Sequence, residues 1–149
     1  MIASFTVRPG QGDPSGFDLG DMCWRGEFGE AASVGHVPDQ GMMIWISAVE
    51  LLDSLHGLLT GRSVDVSFID ADSSFCVRFR TTRKVVGVSG RAGLVARVGH
   101  AELAEAVLSA AEELAGRHLA AVPPQDGVAH DYLAALDRFR LIARATRSG

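Results

Sequence analysis

The stretch from residue 63 to residue 98 constrains the fold most, because apolar residues recur there at nearly every second position. Short segments of aspartate, serine, glycine and basic residues separate the runs. The apolar members are Val64, Val66, Phe68, Phe75, Val77, Phe79, Val85, Val86, Val88, Leu94, Ala96 and Val98. A repeat of two places alternate side chains on opposite faces of a strand. The stretch therefore predicts a meander of three or four antiparallel strands with one apolar and one polar face.

The N-terminal third carries weaker strand patterns. Alternation over residues 4–8, an apolar segment around residues 22–28 and another over 42–46 each predict an extended segment. Glycine and proline between residues 9 and 16 predict a loop. We expect these segments to join the antiparallel sheet.

Helical spacing replaces the alternation in three places. Ser47 and Glu50 fit a capping box, followed by leucines that recur at helical spacing up to the stop at Gly61. Residues 100–121 and about 128–145 each show a single apolar stripe, which predicts two further amphipathic helices. The double proline at positions 123 and 124 ends the first of these two helices.

The predicted fold is α+β, with an antiparallel meander sheet of about five to seven strands packed against two to three helices. The chain has 149 residues, of which 47% are hydrophobic, enough for a sizeable core without disulfides. We expect one domain over residues 1–149.

Charge is unevenly distributed along a chain whose net charge is −4. Residues 61–98 carry seven basic and three acidic side chains, whereas residues 1–60 carry two basic and eight acidic ones. The positive charge therefore collects on the predicted meander, and arginine supplies thirteen of the chain's fourteen basic residues.

Alternation places Arg78, Arg80 and Arg97 on the polar face of the meander, where Arg83 and Lys84 can join them. Such a surface fits an anion or an acidic partner. The alternative is a solvated face on which Asp65 forms a cross-strand pair with Arg78 or Arg80. Nucleic acid is disfavoured, because the whole chain is acidic and the phenylalanines among the arginines face the other way.

Asp70 and Asp72 lie in the turn between two strands and are included among the candidate partner-binding residues. Their spacing resembles the start of a calcium loop, but the sixth and twelfth positions are Phe75 and Thr81 where glycine and a carboxylate are needed. The segment instead predicts a hairpin turn.

No catalytic residue, metal site or cofactor is predicted. The five histidines lack metal-ligand spacing, and no nucleophile-elbow motif is present. Two alternatives stay open, a zinc site that combines distant residues such as Cys23 and His36, and a disulfide between Cys23 and Cys76. With two cysteines, no long apolar run and no secretory pattern at the N-terminus, we expect a cytoplasmic protein that does not cross a membrane.

One family comparison arises from the order of the elements. The segment Trp24-Arg-Gly-Glu-Phe28 precedes a leucine-rich helix at residues 48–55, which is followed by a phenylalanine-rich meander and a long helix. This layout, over most of residues 4–120, resembles the WapI-type immunity proteins of actinobacteria. The resemblance implies a non-catalytic cytoplasmic protein that neutralises a toxin domain, and it assigns no individual residue a role.

Three functions therefore remain as hypotheses. The first is a non-catalytic binding protein with a protein partner such as a toxin domain. The second is a small-ligand binder or enzyme whose site is assembled from distant residues, for example under the glycine-rich loop at residues 10–16. The third is a structural accessory protein that forms homodimers or larger homo-oligomers.

Overall fold

The computed structural model describes residues 1–70 and 74–148, which form eight strands and three α-helices. The strands are β1 (Ile2–Val7), β2 (Leu19–Gly26), β3 (Gly29–Ala32), β4 (Met42–Met43), β5 (Asp65–Ile69), β6 (Cys76–Thr82), β7 (Val85–Gly90) and β8 (Gly93–Gly99). The helices are α1 (Ile44–Leu59), α2 (His100–His118) and α3 (Val128–Ser148). Within the described ranges, no helix combines the length and apolarity that a membrane span needs.

The strands form two antiparallel sheets of four strands each, and the predicted α+β class is confirmed. Sheet A has the order β1-β2-β3, with β4 paired to β2, and sheet B is the meander β5-β6-β7-β8. The alternating stretch at residues 63–98 therefore supplies the whole of sheet B. The N-terminal strands do not extend that sheet but pair among themselves.

Helix α1 begins earlier than the sequence predicts. Extended structure covers only Met42–Met43, and the helix starts at Ile44, whose N–H donates to the carbonyl of Asp18 at 3.1 Å. The predicted capping box is wrong, because Ser47 lies in the second turn and its hydroxyl donates to Asp70 at 3.2 Å. Burial of the apolar first turn and a tertiary hydrogen bond replace the side-chain cap.

Trp24 joins the two sheets. Its ring, with no exposed surface, makes edge contacts with Phe5 of β1 at 6.0 Å and Phe79 of β6 at 5.2 Å between ring centroids. Close by, a Cβ on Gly26 would lie 2.5 Å from the carbonyl oxygen of Val95, so only glycine lets β2 approach β8 this closely. Sheet A and the helices α1 and α2 thus cover the inner face of sheet B and leave the other face outward.

The helices join the same core. Trp45 of α1 makes an edge contact with Tyr132 of α3, with ring centroids 5.0 Å apart. The hydroxyl of Tyr132 donates to the carbonyl of Ala111 in α2 at 2.6 Å, which satisfies the one polar atom of this buried side chain. Burial raises the pKa of Tyr132, so the phenol stays neutral.

Arg8 fastens the segment before β4 to sheet A. Its guanidinium donates to Asp21 at 2.9 and 3.0 Å and to Asp39 at 2.7 and 2.8 Å. Asp21 also accepts from the hydroxyl of Ser33 at 2.7 Å. Burial raises the pKa of Asp21, but the hydrogen bonds from Arg8 and Ser33 together lower it by more. The carboxyl therefore titrates below its usual range.

We expect Arg8→Met to lower the free energy of unfolding by about 2–4 kcal/mol at neutral pH, because it leaves the largely buried Asp21 carboxylate without its cation. Asp21 has a lower pKa folded than unfolded, so its contribution is present above the unfolded value of 3.8 and is lost as pH falls through the folded value. Urea unfolding at neutral and acidic pH should therefore show a deficit that shrinks in acid.

The control for this prediction is Arg117→Met, which breaks an exposed pair with Glu113 and should cost less than about 1 kcal/mol. A deficit for Arg8→Met that is no larger than the control, or that stays constant with pH, would contradict the role of Arg8.

Candidate functional site

The outward face of sheet B holds an open depression of about 530 Å³. It is lined by Arg78, Arg80, Thr82, Arg83, Val85, Gly87, Ser89 and Arg97. We call this surface the arginine face. The predicted site residues Arg78, Arg80 and Arg97 therefore lie together on one face.

The alternation of β6 and β7 creates the face. Val77 and Phe79 point into the core with no exposed surface, so Arg78 and Arg80 between them point outward. The neighbouring β7 buries Val86 and Val88 in the same way. The prediction that the phenylalanines face away from the arginines is confirmed.

Strand register sets Arg80, Gly87 and Arg97 in one row. Arg80 of β6 lies opposite Gly87 of β7, and Gly87 lies opposite Arg97 of β8. Adjacent strands are about 4.8 Å apart, so the two arginines stand about 10 Å apart at their Cα atoms. Between them stands a residue without a side chain.

Arg78 is already paired with Asp65. Its Nε donates to Asp65 Oδ1 at 2.8 Å and its Nη2 donates to Asp65 Oδ2, a bidentate pair between half-exposed side chains. The hydrogen bonds from Arg78 hold the pKa of Asp65 below its ordinary value, and those to Asp65 raise the pKa of Arg78. For Arg78 the cross-strand pair that the sequence offers as an alternative is therefore present.

Arg80 and Arg97 differ from Arg78. Among the described residues, none accepts a hydrogen bond from either guanidinium. Arg97 lies over the ring of Phe28, 5.7 Å from its centroid, and the ring is 51% exposed. The N–H of Phe28 donates to Val95 at 2.9 Å, which fixes the tip of the β2–β3 turn beside β8. Within the described ranges, the face thus presents two cations without a carboxylate partner, and one of them, Arg97, lies over the exposed Phe28.

The turn between β6 and β7 carries two more cations in an unfavourable conformation. Arg83 has φ 51° and Lys84 has φ 70°, as a two-residue type I′ hairpin requires. Asparagine and glycine adopt such φ values readily, whereas each other residue there lowers the stability of the fold by about 1 kcal/mol. Basic side chains are thus held at the edge of the arginine face at a cost in stability.

Of the two predicted aspartates, Asp70 does not extend this face. Asp70 is 6% exposed and accepts a hydrogen bond from Ser47 of α1, so its carboxylate is directed toward the helix. Asp72 lies outside the described residues. Residues 1–70 and 74–148 contain no cluster of three or more histidine, cysteine or carboxylate side chains that could hold a metal ion.

The cysteines are unpaired thiols in different sheets. Cys23 is on β2 and Cys76 is on β6, and both are half-buried. Burial raises the pKa of Cys23, so this thiol is a poor nucleophile. His36, the other residue of the zinc alternative, has its Nε2 2.7 Å from the carbonyl oxygen of Ala32.

The glycine-rich loop borders a smaller depression of about 250 Å³. Its two long polar side chains are engaged, since Arg8 is paired with two aspartates. Gln11 donates to the carbonyls of Arg8 and Leu19 and accepts from the Leu19 N–H. The loop is therefore held by internal hydrogen bonds, and these groups are not directed at a ligand.

A third depression, about 370 Å³, lies between α2 and α3. Here the charges are mixed, because Arg140 is paired with Glu112 and Asp137, and Glu105, Arg144 and Arg147 also line the depression. Positive charge is less concentrated here than on the arginine face.

Sequence reasoning missed Gly87 and Phe28 as parts of the site. The sequence does carry a signal for Gly87, because a glycine within an alternating strand pattern indicates a position that a ligand or another backbone approaches closely. The position of Phe28 depends on how sheet A crosses sheet B, which no local pattern reveals.

No known family model matches the chain, and neither a curated protein nor a solved structure matches it.

We expect Asp65→Asn to strengthen the binding of an anionic peptide about two- to fivefold, because it frees Arg78 and removes a negative charge from the face. Fluorescence anisotropy with labelled hexaglutamate at low salt measures the change. The matched control is Asp53→Asn, which breaks the exposed pair between Asp53 and Arg138. Equal affinities of the two variants would show that Asp65 does not compete for Arg78.

Proposed function

We propose that this chain is a non-catalytic binding protein that engages an acidic surface of a protein partner through the arginine face. The observation that carries the proposal is that two guanidinium groups on one face, Arg80 and Arg97, have no carboxylate partner among the described residues, in a chain with net charge −4.

The charge distribution supports an oriented encounter. Residues 61–98 are net positive, while the rest of the chain carries seven basic and fifteen acidic side chains. An acidic partner is attracted to the arginine face and repelled by acidic surfaces elsewhere, which favours one docking orientation. Segregated charge of this kind raises association rates and selectivity.

The side chains themselves are those that protein interfaces favour. Arginine binds carboxylates through two parallel hydrogen bonds, and arginine and aromatic residues are enriched among the residues that dominate binding energy. Phe28 and Val85 place exposed apolar surface beside Arg97 and Arg83. The strained turn at Arg83 and Lys84 supports the same interpretation, since strain of this kind collects at functional sites.

In its specific form, the proposal is an immunity protein that neutralises a toxin domain in the cytoplasm. The resemblance in layout to WapI-type immunity proteins supports a toxin domain as the partner to test first. An acidic patch on that domain is what the arginine face would recognise.

We expect Arg80→Glu with Arg97→Glu to weaken hexaglutamate binding about tenfold or more, because two attractive contacts become repulsive. The fold should be retained with a modest drop in melting temperature, because Arg80→Glu places a carboxylate opposite Asp65 and Arg97→Glu removes the contact with Phe28. Fluorescence anisotropy gives the affinity, and a thermal melt checks the fold.

The matched control is Arg62→Glu with Arg117→Glu, which changes net charge equally at exposed positions away from the arginine face. If the control weakens binding as much as the test variant, the peptide responds to net charge alone and the proposed surface is wrong.

A further inference from the structure

Gly87 lies in the interior of β7, a position where glycine is unfavourable. Glycine weakens a strand interior, because it costs conformational entropy and offers no side chain for packing. Its φ lies outside the left-handed region, so the backbone does not demand glycine. A Cβ at this position would meet the carbonyl oxygen of Arg80 at 3.8 Å and Leu94 Cδ1 at 3.9 Å, which are ordinary contacts.

This separates Gly87 from the glycines that the fold requires. A Cβ on Gly26 would lie 2.5 Å from the carbonyl oxygen of Val95, and one on Gly90 would lie 2.7 Å from Ala31 Cβ. Those two positions exclude any larger residue. At Gly87 the fold itself accepts a side chain, and its absence leaves open space on the arginine face.

The open space lies between two unpaired cations. Arg80 and Arg97 flank Gly87 in the same row of the sheet, and no described residue accepts a hydrogen bond from either guanidinium. The row continues to Asp65, but that carboxylate is turned to Arg78. A negatively charged group placed above Gly87 would lie between Arg80 and Arg97 in this row and come close to the backbone of β7.

We infer that Gly87, Arg80 and Arg97 form a binding site, which we call the seat, for a single carboxylate from an aspartate or glutamate of the partner. The inference rests on the proposed function and names the group that the arginine face takes. A carboxylate offers about four acceptor positions on two oxygens, enough for both guanidinium groups. The missing side chain at Gly87 lets it enter.

A protein carboxylate fits this seat better than a nucleic acid strand. Binding of a polyanionic strand uses a continuous track of cations along the phosphates, with aromatic rings for the bases. Here Arg78 is neutralised by Asp65, the remaining cations Arg83 and Lys84 lie in the hairpin turn at the edge of the face, and much of the surrounding chain is acidic. The seat is therefore local, as a single side-chain contact requires.

The test is Gly87→Val, which fills the seat and leaves every charge in place. We expect hexaglutamate to bind at least about fivefold more weakly, with a melting temperature equal to or above that of the wild type, because valine suits a strand. The control is Thr82→Val, which adds a valine to the same face at the end of β6 and should leave the affinity unchanged. Gly87→Ala should give an intermediate loss.

The outcomes separate the seat from the proposed function. If Gly87→Val binds like the wild type while Arg80→Glu with Arg97→Glu is weakened, the arginine face binds acidic partners but the seat is overturned. If neither variant is weakened, both claims fail. A single-stranded oligonucleotide of matched charge that binds more tightly than hexaglutamate and is also excluded by Gly87→Val would overturn the carboxylate assignment.

Discussion

The packing of Trp24 between Phe5 and Phe79 is the contact on which the rest of the molecule depends. It places sheet A against the inner face of sheet B. This packing is sterically possible because Gly26 has no side chain that would clash with Val95. Because the core lies on that side, the opposite face of sheet B is turned to solvent. This packing, together with that of α1 and α2 on the same side, therefore decides which side chains of the meander are accessible.

The same packing fixes the sign of the exposed surface. Each apolar residue of β6 that enters the core turns its neighbour outward, and those neighbours are Arg78 and Arg80. Asp65 then pairs with Arg78 and leaves Arg80 without an ion pair among the described residues, although Arg80 is the residue directly opposite Asp65 in the ladder. The exposed positive charge thus has two causes: the core turns both arginines outward, and Asp65 pairs with only one of them.

The sequence predicts sheet B well, because each of its strands carries a local period of two and short turns join neighbours. It does not predict that residues 2–43 form a separate sheet, since alternation does not tell which strands pair over long distances. The start of α1 was missed for a similar reason. A tertiary contact from Asp18 and the burial of Ile44 decide it, and neither is a local signal.

For the site, the arginines were predicted by alternation, while Gly87 and Phe28 were not. Asp70 was placed with them by its turn position, yet it is buried against α1 through Ser47. This difference between the arginines and Asp70 has a physical cause. Strand periodicity fixes which face a side chain takes, but a residue at a strand end can turn either way, and the contacts of neighbouring elements determine which.

The most direct measurement of the central claim is a map of where an acidic ligand binds. A titration of the ¹⁵N-labelled protein with hexaglutamate, followed by NMR, should shift the Gly87 amide and the Nε–H signals of Arg80 and Arg97 first. These shifts should saturate together and weaken as salt is raised past about 0.15 M, where charges are screened within about 8 Å. Shifts that concentrate instead on Arg144 and Arg147 of α3, with the Gly87 amide unmoved, would contradict the account.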